Sequence, residues 1–182
     1  MSTSVFRSSI AGLVVALLAG RAALADDRTM SFQTSDRGAF LTARSGGGSD
    51  LYANKFGPGE WETFRVIDLN GGKLQNFDRV CLRTSNGHFV VAEMGGGREV
   101  KANRGACGPW ETFRIVLLSG PGGFPVTGAG EIPAFSGFAG VLHVGLQASD
   151  GSWVTAEGGG GGNVNANRPA FGRWERFRVF YH

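Results

Sequence analysis

One phrase occurs three times, and it limits the fold more than any other feature of the chain. Residues 51–66 read LYANKFGPGEWETFRV, residues 100–115 read VKANRGACGPWETFRI, and residues 164–179 read VNANRPAFGRWERFRV. Each phrase belongs to a longer unit, and the units occupy residues 31–69, 80–118 and 144–182. Repetition of this kind means that one small module is closed or stacked on copies of itself. From Ala43 to Ala92 is 49 residues and from Ala92 to Ala156 is 64; the difference is one Gly/Pro-rich insertion at 119–140.

Within a unit the apolar residues alternate, which is the period of a strand with one buried face. In the second unit Leu82, then Val90 and Ala92, then Val100 and Ala102, then Phe113 and Ile115 mark four short strands. Asn86-Gly87 and Asp150-Gly151 are hairpin dipeptides that tolerate positive φ, and Gly95-Gly96-Gly97 is a second turn. No segment of helical length and period follows residue 25. Twelve strands in three four-stranded units exclude a propeller, which closes with about 4–8 blades. A six-stranded barrel capped by three hairpins closes with three units and leaves no edge exposed. The expected fold is therefore all-β: a β-trefoil with pseudo-threefold symmetry, preceded by a signal peptide.

The text shared by the copies is Gly-x-(aromatic)-(apolar)-x-Ala, the glycine run, Ala-Asn-(Lys/Arg), and Gly-x-Trp-Glu-x-Phe-Arg. It resembles the repeat of fascin-like domains of the actin-crosslinking superfamily, over essentially all of residues 26–182. That resemblance implies a β-trefoil. It implies little about activity, because one fold hosts many functions.

Residues 1–25 read as a secretory signal: Arg7, a ten-residue apolar run at 10–19, and the small-x-small site Ala23-Leu24-Ala25. The run is too short for a membrane span, which needs about 20 apolar residues. Its removal leaves 157 residues, one ordinary domain, and takes Arg7 and Arg21 with it, so the net charge falls from +3 to +1. That balance, without a Lys/Arg cluster, gives no support for nucleic-acid binding. The expected localisation is secreted or periplasmic, with no membrane span after signal removal. Export favours a disulfide between Cys81 and Cys107 over two free thiols, though the sequence alone leaves both open. The two cysteines do not make a zinc pattern, and no metal or cofactor is implied.

Residues present in every copy solve a problem that every copy has. Phe64, Phe113 and Phe177 share parity with Val66, Ile115 and Val179 and are expected to fill the barrel. Burying each ring stabilises by about 1.5–3 kcal/mol. Trp61, Trp110 and Trp174 stand where a strand enters the barrel. Asn54, Asn103 and Asn167 end a strand, where a short amide can bond local backbone. Lys55, Arg104 and Arg168 lie seven residues before Glu62, Glu111 and Glu175, so an ion pair within each unit is expected. The repeated phrase reads as scaffold.

Catalytic readings find little. His88, His143 and His182 occupy different places in their units, and His88 sits at a hairpin turn. Glu93 and Glu157 are equivalent positions with Arg44 in the first unit, which holds the carboxylates apart on different units; they flank the glycine turns. The glycine runs lack a phosphate-loop lysine and a following helix. The chain reads as no enzyme, with a small glycan hydrolase the weaker catalytic option.

Binding readings rest on positions that differ between units. Phe40, Phe89 and Trp153 alternate out of phase with the inward Leu41, Val90 and Val154, so they fall on the other face and, with His88, are candidate ligand contacts. Aromatic faces suit the apolar face of a sugar ring. The insertion is a second candidate, with Phe124, Phe135 and Phe138 as its apolar anchors. The resemblance implies a non-catalytic module binding glycan or polysaccharide, the alternative being a protein-interaction module that binds or crosslinks actin.

Overall fold

The computed structural model describes residues 27–133 and 142–182. The segment read as a signal and the end of the insertion, with Phe135 and Phe138, lie outside the described residues. Twelve strands are described: β1 (Asp27–Thr34), β2 (Phe40–Ala43), β3 (Ser49–Lys55), β4 (Phe64–Asp68), β5 (Arg79–Arg83), β6 (Phe89–Ala92), β7 (Arg98–Arg104), β8 (Thr112–Leu117), β9 (His143–Gln147), β10 (Trp153–Ala156), β11 (Gly162–Arg168) and β12 (Phe177–Tyr181).

Six of them close a barrel. β1 pairs with β4, β4 with β5, β5 with β8, β8 with β9, β9 with β12, and β12 returns to β1, all antiparallel. β1 serves two neighbours along its length: Met30 stands opposite both Phe64 on β4 and Tyr181 on β12. The hairpins β2–β3, β6–β7 and β10–β11 form the cap, each with a register shift just after the aromatic that opens it. Their outer strands pair around a ring, β3 with β7, β7 with β11 and β11 with β3. Closure at both levels leaves few unpaired strand edges.

The interior is filled by layers contributed in turn by each unit. Phe64, Phe113 and Phe177 are each at most 1% exposed, joined by Phe32, Leu82 and Leu146. Ala43, Ala92 and Ala156, with Ala53, Ala102 and Ala166, belong to the same buried cluster and leave room where the hairpins converge.

The glycine runs are the joints between units. Gly47, Gly96 and Gly160 have φ/ψ of 125/175, 145/−178 and 122/167, a region that is essentially closed to residues with a Cβ. This backbone lets each run seat against the first hairpin of the next unit. A Cβ on Gly47 would stand 2.6 Å from Thr84 Oγ1, and one on Gly160 would stand 3.1 Å from Thr34 Oγ1. The amide that follows each joint reaches further: Gly48 donates to Ala102 (2.7 Å), Gly97 to Ala166 (2.6 Å) and Gly161 to Ala53 (2.5 Å). First grips second, second grips third, and third grips first.

The described part of the insertion closes the base of the barrel. Ile132 is fully buried with Leu74 of the β4–β5 connection, and its amide donates to the Leu74 carbonyl at 2.8 Å. Asn76, 5% exposed, ties both connections down: its Nδ2 donates to the carbonyls of Val126 and Gly128, and its Oδ1 accepts from the Leu117 amide. Tyr181 donates to the Pro133 carbonyl. The anchor is Ile132 rather than Phe124, which is 69% exposed beneath the Arg176 guanidinium.

A disulfide joins Cys81 on β5 to Cys107 in the loop after β7, with Cα atoms 6.2 Å apart. The third unit makes the corresponding join without sulfur, by packing Phe171 over Gly145.

Candidate functional site

The outer face of a cap strand is not the same as a solvent-facing surface, and the aromatic platforms expected at Phe40 on β2 and Trp153 on β10 are absent for that reason. Phe40 is 3% exposed and packs on Phe180 with ring centroids 5.4 Å apart. Trp153 is 8% exposed, edge-on to Phe171 at 4.8 Å, and its ring lies where a side chain at Gly145 would otherwise be. Phe89 is half-buried, with the Arg83 guanidinium 5.7 Å from its ring centre. His88 is a turn residue: its amide donates to Thr84 Oγ1, and its Nδ1 lies 2.8 Å from Asn86 Oδ1. These four residues do not form one surface.

The repeated Gly-x-Trp-Glu text has a different geometry from the one expected of it. Glu62 and Glu111 fold back so that Oε2 accepts the amide of Gly59 and Gly108, each at 2.9 Å. Glu175 accepts from Thr155 Oγ1 at 2.7 Å. All three carboxylates are buried, where a turn amide or a hydroxyl satisfies them. Among the described residues, the expected ion pair to the basic residue seven positions earlier is present only in the second unit, where Arg104 Nε lies 3.6 Å from Glu111. The shorter pairs run elsewhere: Arg104 to Glu93 and Arg168 to Glu157, both at 2.8 Å. The strand-end asparagines do not share one role either; Asn103 Oδ1 accepts from Arg104 rather than from backbone.

With the glutamates turned inward, the indoles turn outward. Trp61 is 45% exposed and Trp110 43%. Each leans its Cδ1–Nε1 edge on a glycine of its own unit's run, Gly46 and Gly95 respectively. Trp174 is more covered, with the Arg168 and Arg173 guanidinium groups 5.9 and 5.7 Å from its ring centre.

Trp61 lines an open cavity. It has a volume of about 360 Å³ and is lined by Thr42, Arg44, Tyr52, Asn54, Lys55 and Trp61. The elements that place these groups are β2, the glycine turn, β3 and the short turn Glu60–Glu62. Phe56, one residue past Lys55, is 76% exposed and adds a second apolar ring to the same loop. The larger cleft of about 580 Å³ between the first and second units has no aromatic lining. Sequence reasoning placed Trp61 in the scaffold because its neighbours read alike in all three copies. The signal that distinguishes it was the substitution of arginine for glutamate at position 44.

No family model matches the chain, and no curated protein matches it. Solved structures do. The designed three-fold symmetric protein ThreeFoil superposes with a TM-score of 0.59 at 15% identity, over 83% of this chain and 96% of that one. The SDF2-like protein from Arabidopsis thaliana gives 0.61 at 8% identity, over 87% and 94%. A Caenorhabditis elegans protein of unknown function gives 0.60 at 11%, over 89% and 98%. At these identities the likeness is one of architecture, and the chain has a β-trefoil-like fold.

Proposed function

We propose that this chain is an exported, non-catalytic, carbohydrate-binding module of the fascin-like kind. The observation that carries the reading is the Trp61 cavity. A sugar ring presents an apolar face of C–H groups and a rim of hydroxyls, and it is held by an aromatic face with hydrogen-bonding groups beside it. Trp61 offers the face; Tyr52, Asn54 and Lys55 offer donors and acceptors around it. Its volume of about 360 Å³ suits one or two rings of a longer glycan. Export rests on residues 1–25, and the fascin-like assignment rests on the shared text of the three copies.

The test is a saccharide array followed by titration calorimetry on the strongest hit, with wild type beside Trp61→Ala. Loss of the indole is expected to weaken binding at least about tenfold, the usual cost of truncating an exposed aromatic anchor. The thermal midpoint should shift little, because the ring is already nearly half in solvent. Wild-type affinity in Trp61→Ala, or an array without a hit, would contradict the reading.

A further inference from the structure

In the second and third units the basic residue at the end of the outer hairpin strand is neutralised from within. Arg104 Nη2 holds Glu93 Oε2 and Arg168 Nη2 holds Glu157 Oε2, both at 2.8 Å, and Asn165 Nδ2 also donates to Glu157. In the first unit the same place is built with the opposite sign. Lys55 stands where Arg104 and Arg168 stand, and Arg44 replaces the glutamate. Both side chains line the cavity, and neither makes an ion pair among the described residues. The nearby Glu62 is turned away onto the Gly59 amide. Two cations beside an exposed indole leave a site that lacks the carboxylate its two sister sites carry.

We infer that the first unit binds a carboxylated saccharide, with the ligand carboxylate between Arg44 and Lys55 and its ring against Trp61. This deepens the carbohydrate reading and rests on it. The sister sites show that a carboxylate fits this frame, held by the basic residue at ordinary ion-pair distance. Arg44 adds a planar donor fork that matches a carboxylate edge-on. A ligand that brings its own negative charge relieves the repulsion between the two cations; a neutral sugar does not. The carboxylate can come from a uronic acid or from a sialic acid.

The probes are trigalacturonate, its methyl ester, 3′-sialyllactose and lactose, titrated into wild type, Arg44→Glu and Lys55→Gln. The expected result is at least tenfold tighter binding of one acidic saccharide than of its neutral counterpart, with the preference weakened by added salt. Which acidic probe binds identifies the source of the carboxylate. Arg44→Glu installs the residue type that the other two units tolerate at this position, so it is expected to fold and to lose the preference; Lys55→Gln should reduce it independently. Equal affinity for each acidic probe and its neutral counterpart overturns this inference and leaves the carbohydrate reading standing. An acid preference that survives in both variants also overturns it, by locating the carboxylate elsewhere. No binding of any saccharide overturns both.

Discussion

Phe113→Ala is expected to lower the free energy of unfolding by about 3–5 kcal/mol. The ring lies on β8, 1% exposed, with Val80 of β5 beside it across the ladder. Truncation removes the transfer free energy of a benzyl group and leaves a void. The void cannot easily collapse, because its walls belong to a closed ring of strands whose register is fixed on both sides. The same residue type fills the same place in the other units, at Phe64 and Phe177, and all three belong to one buried cluster. Urea denaturation measures the loss as a drop in midpoint at unchanged slope. A loss below about 1 kcal/mol would mean that the ring is not in a packed interior.

Removing the disulfide should cost nearly as much. Cys81 and Cys107 are 26 residues apart in sequence, and a cross-link closing a loop of that length restricts the unfolded chain by about 3–4 kcal/mol. The double substitution Cys81→Ala, Cys107→Ala leaves the strand pairing of β5 with β4 and β8 unchanged, so the fold should persist at lower stability. Comparing its unfolding curve with that of the oxidised parent gives the difference directly. An unchanged midpoint would show that the bridge does not constrain the unfolded state.

Much of the architecture could be read from the letters because it rests on features that recur. The alternation around Phe113 and Ile115 named the inward face, and both residues are buried. The glycine runs announced turns, though not what the turns were for. Their value lies in contact with the following unit, as between Gly47 and Thr84, and no local pattern encodes which partner a turn will meet. Period-two reasoning failed at Phe40 and Trp153 for a related reason. It tells which side of a strand a residue occupies, but not whether Phe180 or Phe171 will cover that side.

The candidate site was harder to see than the fold. Trp61, Trp110 and Trp174 share the text Gly-x-Trp-Glu-x-Phe-Arg, yet Trp174 lies beneath two arginines, one of them Arg173 at the variable position before it, while Trp61 lines an open cavity. The glutamates beside them were expected to pair with cations seven residues earlier, but a three-residue reach to a turn amide closes a smaller loop. Arg44 was visible from the start as an arginine among glutamates. Its consequence appears only when Arg104–Glu93 and Arg168–Glu157 show what the exchange removes.

The central claim is that three copies close by each gripping the next, which frees the odd residues of one copy for recognition. Native-state hydrogen exchange at Gly48, Gly97 and Gly161 tests it most directly. These residues are exposed, but their amides donate to Ala102, Ala166 and Ala53 of the neighbouring copy. The account predicts that all three exchange at least about a thousandfold more slowly than in an unstructured peptide, together with the barrel strands. Exchange at the rate of an open glycine turn at any one of the three would contradict it.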